Sequence, residues 1–512
     1  MLKRLIEVAL PLKEVSVHAA KEKYVQAGNV STLHIWWARR PLAACRAVVF
    51  AALIPDPDDP DCPESFRELV MELLARGEFK PKNGDGGAAS DTARNRCLEF
   101  IKELVKWENS NNPKYIEPAR KLIAAAHKFL DAGAEGDAPK ILDPFAGGGA
   151  IPLEALRLGC EAHAIDLNPV AYLIELCTLV YPQKYGHSDM RPVPAYVKRL
   201  IACNRDKKKA KDGGSLFDGG AVAVAIAQDE VIPDVEISEA EYRKNPLAAD
   251  VKYWGHWVRQ VARAEVGALY IADPDDAVPI AYLWARTVQC PNPTCRSDMP
   301  LVRQLWLCKK AKRKVAFSLT PHVDGAVSVG IVSGTPPFDP SVGTIRKGKA
   351  ICLRCGHVAD TKYLRDQSRA GRMRHTPIAV VTATKGVKGR AYRTGSTIDA
   401  LRVETAVSML RTWENETVGG VPLVPNEQIS NTEPRRISPP LYGLDRWRDI
   451  FNPVQLATLT AFVRAIRSAR NSMERDLGED YARAVATYLG LGLDRGADHW
   501  SALCTWNPNS EK

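Results

Sequence analysis

The sequence ILDPFAGGGAIPLEALRLGCEAHAIDLNP occupies Ile141–Pro169 and decides the fold class. A short apolar run ends at Asp143, three glycines follow at 147–149, and a stretch with apolar residues at helical spacing then reaches Gly159. A second apolar run ends at Asp166. This order predicts a strand, a glycine-rich turn, a helix and a strand closed by an acid, which is the outline of a nucleotide-type cofactor site.

The glycines and the acids of this stretch indicate its chemistry. Glycines let the backbone pass close to a ligand, and a helix start offers unpaired N–H groups. Asp166 follows Asp143 by 23 positions, and about 20 residues commonly separate such a turn from a ribose-binding acid. The G-x-G-x-x-G of hydride-transfer enzymes and the Gly-Lys-Ser/Thr of P-loops are both absent here, which disfavours those two classes.

Positive charge is concentrated in one part of the chain. The 512 residues include 70 Lys and Arg and 60 Asp and Glu, a net charge of +10. Residues 296–400 contain 20 of the basic residues and 6 of the acids, a local charge of +14, so the remaining chain carries −4. A nucleic-acid-facing module and a solvated basic surface are equally good interpretations of this block.

The length predicts two to four domains. No run of 18 uncharged apolar residues occurs, so no membrane span is expected. Glu7 and Lys13 interrupt the apolar start of the chain, which disfavours a secretory signal and makes the cytoplasm the expected compartment.

Aromatic residues occur in two segments. Thr32–Pro41 reads TLHIWWARRP, in which two tryptophans and two arginines could bind a base, a phosphate or a cofactor. A helix start with buried indoles is the favoured interpretation of that segment taken alone. In 238–265, the helical spacing of four aromatic residues predicts packing in a core, namely Tyr242, Tyr253, Trp254 and Trp257.

Four of the twelve cysteines are paired in the sequence, as Cys290 with Cys295 and Cys352 with Cys355. Without a secretory signal, disulfides are not expected. A C-x4-C and a C-x2-C knuckle predict a tetrahedral four-thiolate zinc site with a structural role. A redox dithiol at Cys352 and Cys355 is the alternative, and the reserve ligands are Cys308, His322 and His357.

Further parts of the sequence resemble one protein family. DPFAGGG followed by AIDLNP resembles the S-adenosylmethionine site of amino-methyltransferases that act on nucleic-acid bases. The stretches TLHIWWARRPLAACRAVVFAAL, YLWARTVQCPNPTC and YGLDRWRDIFNPVQLATLTAFV extend the resemblance to the zinc-ribbon-containing adenine-specific DNA methylase family. The resemblance covers most of the chain in the same order and matches the N-terminal part of that family, including its N-terminal domain of unknown function.

The resemblance implies a role for each residue of the two motifs. Asp166 would bond the ribose hydroxyls, Asn168 would begin the helix beside the adenine pocket, and the segment Trp36–Pro41 would complete the methionine side. The zinc ribbon and its basic surroundings would bind DNA. The first cofactor motif would comprise Asp143, near the methionine amino end, with Phe145, Ala146, Gly147 and Gly149.

Together these features predict an α/β chain with a Rossmann-like methyltransferase core, helical terminal regions and an inserted β zinc ribbon. Loops are expected in places, including 204–220, and two helices are expected near 453–475 and 478–493. The predicted regions are a mostly helical domain at 1–135, a cofactor-binding region with a helical insertion at 136–285, the basic zinc ribbon at 286–400, and a Pro-rich linker with C-terminal helices at 401–512.

One motif of base amino-methyltransferases is not found. Such enzymes carry Asp/Asn/Ser-Pro-Pro-Tyr/Phe at the end of a strand, where it accepts the amine hydrogens and stacks the flipped base. Gly334–Phe338 has Thr in the polar position, and Ser438–Tyr442 has Leu in the aromatic position, so both are interpreted as decoys. No catalytic residue is therefore assigned. The chain is expected to be the cofactor-binding N-terminal portion of a longer enzyme or a shortened homologue, with an incomplete sheet.

The leading hypothesis is an S-adenosylmethionine-dependent N6-adenine DNA methyltransferase with structural zinc. The alternatives are a catalytically inactive zinc-ribbon DNA-binding subunit and an RNA base methyltransferase. DNA is preferred over RNA as the partner, and a membrane is not expected. Partner subunits from a restriction-modification or phage-defence system are not identified by the sequence.

Overall fold

The computed structural model divides into two compact units, each described here by itself. Unit 1 comprises Met1–Asp206, Glu236–Lys252 and Leu477–Arg495, and unit 2 comprises Lys207–Val235, Tyr253–Asp476 and Gly496–Lys512. Among the described helices, none has the length and apolar character that crossing a membrane requires. The residues that the structure describes are 2–25, 28, 30–81, 90–130, 138–187, 191–212, 231–270, 277–384, 389–430 and 438–511.

The described residues in the first half of the chain are mostly helical and include one pair of strands. A π-helical turn at Leu176–Val180 joins two of its helices. The elements are α1 (Leu5–Val8), α2 (Leu12–Lys21), α3 (Leu42–Leu53), α4 (Glu64–Leu73), α5 (Ala93–Leu104), α6 (Pro113–Leu130), β1 (Lys140–Asp143), α7 (Ala150–Arg157), β2 (Glu161–Ala164), α8 (Pro169–Glu175), α9 (Tyr181–Tyr185), α10 (Ala195–Asp212), α11 (Glu239–Lys244) and α12 (Pro246–Val266).

Aromatic side chains fill the core of the N-terminal helices. The ring of Phe100 on α5 lies 5.5 Å from that of Phe50 on α3 and 5.3 Å from that of Phe79, measured between centroids. All three side chains are fully buried. Burial of each contributes roughly 1.5–3 kcal/mol, so this cluster helps to hold α3 and α5 together.

A buried ion pair connects this helical core to α7. Arg46 on α3 and Glu154 on α7 are 1% and 0% exposed, and the Arg46 Nε donates to Glu154 Oε2 over 2.6 Å. Arg46 also donates to the Leu104 carbonyl and to the Ser110 hydroxyl, each over 2.8 Å. Arg157 pairs with the same carboxylate. The charges are thus fully hydrogen-bonded, as a buried pair requires.

The strands β1 and β2 are parallel neighbours connected through α7. Their register pairs Lys140 with Glu161 and Asp143 with Ala164, so both carboxyl ends lie at the same edge. Within the described part of the chain this sheet has two strands. The strand–turn–helix–strand order predicted for Ile141–Asp166 is confirmed.

Unit 2 contains most of the strands, which form antiparallel sheets. The strand orders are β12-β11-β3-β4, β5-β6-β7, β10-β9-β8 and β13-β14. The remaining elements of the chain are β3 (Val278–Gln289), β4 (Asp298–Leu301), β5 (Trp306–Lys310), β6 (Arg313–Pro321), β7 (Val327–Ser333), β8 (Ile345–Arg346), β9 (Lys349–Ile351), β10 (Val358–Ala359), α13 (Thr361–Arg369), β11 (Arg374–Ala383), β12 (Ala391–Thr394), α14 (Thr397–Trp413), β13 (Thr417–Val418), β14 (Val421–Pro422), α15 (Pro453–Leu477) and α16 (Glu479–His499).

The mixture of helix and sheet expected from the sequence is confirmed, and so are the two C-terminal helices, α15 and α16. The predicted loop at 204–220 is wrong over its first part, because α10 continues to Asp212. Lysine, arginine and alanine are good helix formers, so a lysine-rich run can extend a helix. The rest of that loop lies outside the described residues. The strand β3 crosses the predicted region boundary at residue 285.

Candidate functional site

The glycine turn is held against the end of β2 by hydrogen bonds to one acid. The Gly147 amide donates to Asp166 Oδ2 over 2.9 Å, and the Asn168 amide donates to Asp166 Oδ1 over 2.8 Å. The Ala146 amide donates to the Ile165 carbonyl over 3.0 Å. An ionised carboxylate has about four lone-pair sites, so Asp166 retains acceptor capacity for a ligand.

The other two polar residues of the predicted pocket support its local backbone. The Asp143 Oδ1 accepts a hydrogen bond from the Phe145 amide over 3.1 Å, which fixes the turn that leaves β1. The side chain of Asn168 accepts from the Val170 amide over 2.9 Å and caps α8, with Pro169 in the first helical position. The helix start predicted at Asn168 is confirmed.

Two of the glycines occupy positions that only glycine fits well. Gly147 has φ 55°, and a Cβ atom there would lie 2.5 Å from the Trp36 indole nitrogen. Gly149 has φ 74°, and its Cβ atom would lie 3.3 Å from Leu179. L-residues rarely adopt such a φ, and the first approach leaves no room for a side chain. The turn is therefore packed between Trp36 and the π-helical segment.

Trp36 and Trp37 lie in a loop before α3, and not on a helix as the favoured interpretation had it. Their rings stack with centroids 4.8 Å apart and an interplanar angle of 18°. Trp36 is half-buried on the glycine turn, whereas Trp37 is 80% exposed. Pro41 precedes the first residue of α3; a proline disfavours helical backbone at the residue before it and has no N–H to donate, so the helix begins only after Pro41.

The rim of the turn is apolar and exposed. Phe145, in the turn itself, is 86% exposed, and Leu167, just after β2, is fully exposed. Leu142 and Ile165 at the strand ends are also exposed. Several large apolar side chains exposed within one short unit are typical of a surface that a ligand or another polypeptide segment covers.

A buried acid in this region was missed by sequence reasoning. Glu175, the last residue of α8, is 5% exposed, and its Oε1 has no hydrogen-bond partner among the described residues. Burial raises its pKa to about 7, helped by repulsion from Asp166 and Asp143. The available signal was an acid on the apolar face of a predicted helix, four positions after the buried Ala171.

The four paired cysteines of unit 2 come together in one cluster. The Sγ atoms of Cys290 and Cys355 are 3.7 Å apart, and those of Cys295 and Cys352 are 3.8 Å apart. All four sulfurs lie within 4.8 Å of one another. Sulfurs at about 2.3 Å from a tetrahedral zinc ion are about 3.8 Å apart, so the spacing suits such an ion. The reserve ligands Cys308, His322 and His357 are not part of this cluster.

The ends of two strands position the two knuckles. Cys290 follows β3 and its amide bonds the Ser297 carbonyl over 2.8 Å, while Cys352 follows β9 and its amide bonds the His357 carbonyl over 2.9 Å. Burial raises the pKa of the Cys290 thiol to about 12. A buried thiol of this kind becomes a thiolate when a cation binds it. The cluster can therefore hold a metal ion and is shaped as a structural site.

Basic residues occupy the turns around this cluster. Arg296 follows Cys295, Arg354 lies between Cys352 and Cys355, and Lys347 joins β8 to β9; all three are exposed. The Arg354 guanidinium reaches the Cys295 carbonyl over 3.3 Å. Within the described residues none of the three forms an ion pair, unlike Arg374, which pairs with Asp298. Exposed cations without acid partners are available to an anionic ligand.

Comparison with known protein families finds a match to "Protein of unknown function (DUF1156)" over residues 9–72. This range includes α2 to α4 and the Trp36 loop, and it is less than half of the chain. No curated protein and no solved structure matches the chain.

Proposed function

We propose that the glycine-turn pocket binds S-adenosylmethionine and that this chain is the cofactor-binding portion of a DNA methyltransferase specific for the adenine N6 amine. The observation that carries the proposal is the bond from the Gly147 amide to Asp166, which joins the turn after β1 to the acid after β2. S-adenosylmethionine is a nucleoside that carries an amino-acid chain. The turn would contact that chain, and the acid would bond the ribose.

Two further features fit this cofactor. The absence of a side chain on Gly147 lets the backbone of the turn pack directly against the Trp36 indole, which would bring the turn and the tryptophan to the same ligand. Acids lie near the turn, since Asp166 and Asp143 act on the buried Glu175, and apolar side chains such as Phe145 are exposed beside it; this combination suits a cationic nucleoside better than a diphosphate. When bound, S-adenosylmethionine would supply the electrophilic methyl group. The contribution of this chain would be to bind and orient it, which is the main need of direct methyl transfer.

Neither proline-rich motif is proposed as catalytic. Gly334–Phe338 follows β7 in an antiparallel three-stranded sheet of unit 2. Pro439–Tyr442 forms a 3-10 turn. Thr335 stands in the polar position of the first motif and Leu441 in the aromatic position of the second, so these two remain interpreted as decoys. The parallel strands of the resembling enzymes would extend β1 and β2 into a larger Rossmann-like sheet.

Binding of S-adenosylmethionine tests the proposal. Calorimetric titration should give a single site in the wild type and an affinity at least roughly tenfold lower in Asp166→Ala, because a hydrogen bond to a charged group is worth about 1.5–3 kcal/mol. Glu161→Ala, an exposed acid at the opposite end of β2, is the matched control. A wild type that binds no S-adenosylmethionine would overturn the proposal.

We also propose that the cysteine cluster binds one structural zinc ion per chain. Support comes from the sulfur distances near 3.8 Å. Metal analysis should find one zinc in the wild type and in Cys504→Ser, an exposed cysteine elsewhere in unit 2, but none in Cys352→Ser. Zinc retained at full occupancy by Cys352→Ser would contradict the assignment.

The second candidate function is a nucleic-acid-binding subunit without catalysis. The basic turns at Arg296, Lys347 and Arg354 favour it independently of the glycine turn. Strong binding of duplex DNA together with no binding of S-adenosylmethionine would select this candidate. An RNA base methyltransferase is separated from both by comparing duplex DNA with structured RNA at a fixed salt concentration, since charge alone binds either polymer.

A further inference from the structure

Glu175 differs from the other acids of unit 1 that the structure buries. Glu154 is paired with two arginines, and Asp250 accepts hydrogen bonds from three tyrosine hydroxyls. Glu175 is 5% exposed, against 0% for those two, and its buried Oε1 has no hydrogen-bond partner among the described residues. Burying a carboxylate without a partner is unfavourable, so the position calls for an explanation outside the packing of the helix.

The location of Glu175 connects it to the glycine turn. It ends α8 and immediately precedes the π-helical turn Leu176–Val180. One turn further along, the Thr178 hydroxyl and the Leu179 side chain lie 3.4 and 3.3 Å from the position of a Cβ atom on Gly149. π-Helical turns are rare and occur frequently at functional sites.

The electrostatic surroundings of Glu175 are negative. Besides burial, Asp166 and Asp143 raise the pKa of Glu175. Asp143 is the last residue of β1, and Asp166 follows β2. The Glu175 carboxyl group is therefore near enough to the acids on either side of the glycine turn in the chain to be repelled by them. A cation brought among them would be attracted by all three and would satisfy the one that has no partner.

We infer that Glu175 is a ligand-binding residue of the glycine-turn pocket, where its carboxylate pairs with a positively charged group of the bound ligand. The inference rests on the proposed function, because S-adenosylmethionine carries two such groups, a sulfonium and an ammonium. The same arrangement selects against nucleotides whose corresponding group is an anionic diphosphate. Asp166 therefore binds the nucleoside part of the ligand, and Glu175 pairs with its positively charged group.

Three ligands of graded charge test the role of Glu175. S-adenosylmethionine has the sulfonium and the ammonium, S-adenosylhomocysteine has the ammonium, and 5′-methylthioadenosine has neither. Glu175→Gln keeps the size of the side chain and removes its charge. It should lower the affinity for S-adenosylmethionine by roughly 10- to 100-fold, the usual effect of removing a charged hydrogen-bond partner, and change that for 5′-methylthioadenosine by less than about twofold.

The S-adenosylhomocysteine titration then assigns the group that Glu175 contacts. A matching loss of affinity assigns the ammonium, and an unchanged affinity assigns the sulfonium. Glu161→Gln, an exposed acid at the start of β2, controls for the change in net charge. Unchanged binding of S-adenosylmethionine by Glu175→Gln, or an equal loss for the uncharged ligand, overturns the inference. A wild type that binds none of the three ligands overturns the proposed function itself.

Discussion

At the scale of single residues, Glu175 and Gly147 both lower the stability of the folded chain when no ligand is bound. Glu175 is a buried acid without a partner, and Gly147 holds a left-handed backbone against an indole ring. An amide in place of the Glu175 carboxylate, or an alanine with a relaxed backbone in place of Gly147, would cost less free energy. Stability alone therefore explains neither residue. Such positions commonly occur where a ligand binds.

The stability of the protein should depend on the protonation of Glu175. Its pKa is raised from 4.5 to about 7, so its contribution to folding is fully present below about pH 4.5 and is lost as the pH rises through 7. Urea unfolding should show that Glu175→Gln is more stable than the wild type at pH 8 by about 1–3 kcal/mol, and that the difference disappears near pH 5.

Glu161→Gln should follow the wild type at both pH values, because that acid is exposed. A Glu175→Gln protein that is less stable than the wild type at pH 8 would show that the carboxylate has a stabilising partner. The measurement needs no ligand, so it is independent of the binding titrations.

Alanine substitutions in the glycine turn should destabilise the protein more where less space is available for the added Cβ atom. Gly147→Ala forces φ 55° on alanine and brings its Cβ atom to 2.5 Å from Trp36, so we expect a loss of about 1–3 kcal/mol and of S-adenosylmethionine binding. Gly148→Ala, whose Cβ atom would lie 3.4 Å from Trp36, should be milder. Gly77→Ala has nothing within 4 Å and is the control. Thermal unfolding that ranks Gly148→Ala as the most damaging would contradict this packing.

At the scale of secondary-structure elements, the β1–α7–β2 unit depends on α3 for its position. The two strands are only four residues long each, and a two-stranded sheet has little stability by itself. The Arg46–Glu154 pair supplies a specific connection, because the guanidinium donates to α7, to the end of α5 and to Ser110 at once. The cofactor motif is thus anchored to the N-terminal helices.

Glu154→Ala should be among the most destabilising single changes in unit 1. Removing one partner leaves the buried Arg46 uncompensated, which typically costs about 3–5 kcal/mol. Glu117→Ala, on the exposed face of α6 with an i,i+3 arginine, should cost less than about 1 kcal/mol. Chemical unfolding of the two variants checks the difference. An apolar double replacement, Arg46→Met with Glu154→Leu, should recover much of the loss, and failure to recover any would argue against the desolvation account.

At the scale of the whole molecule, the excess positive charge of the sequence lies in residues 296–400. Of the 20 basic residues in 296–400, several are neutralised by acids of unit 2, as Lys310 and Arg313 are by the buried Glu511. The turns around the cysteine cluster keep theirs exposed. Ion pairs of this kind reduce the charge that an anionic polymer would meet to less than the formal +14, and the turns around the cysteine cluster are among the parts that keep their charge.

Charge removal at these turns should change the salt dependence of DNA binding. The triple variant Arg296→Ala, Lys347→Ala, Arg354→Ala should bind duplex DNA more weakly, and the slope of log K against log salt should fall by about 1 for each phosphate that the variant no longer neutralises. A triple variant of exposed lysines in unit 1, namely Lys13→Ala, Lys121→Ala and Lys128→Ala, is matched in charge. Equal slopes for the two variants would place the DNA surface elsewhere.

The sequence by itself determined the features that local patterns specify. Apolar runs and glycines gave the strand–turn–helix–strand order, and helical spacing gave the buried Tyr242, Tyr253, Trp254 and Trp257. Cysteine spacing gave two metal knuckles. These signals are local, since φ preferences and burial periodicity act within a few neighbouring residues.

Only the tertiary structure decided which of these local pieces meet. It brought Cys290 to Cys355 across 65 residues, and it packed Trp36 onto Gly147. It also left Glu175 buried and unpaired, which no pattern on α8 reveals because the absence of a partner depends on every element packed around it. Long-range contacts follow from how whole elements pack, and that packing is where the pocket acquires its shape and its charge.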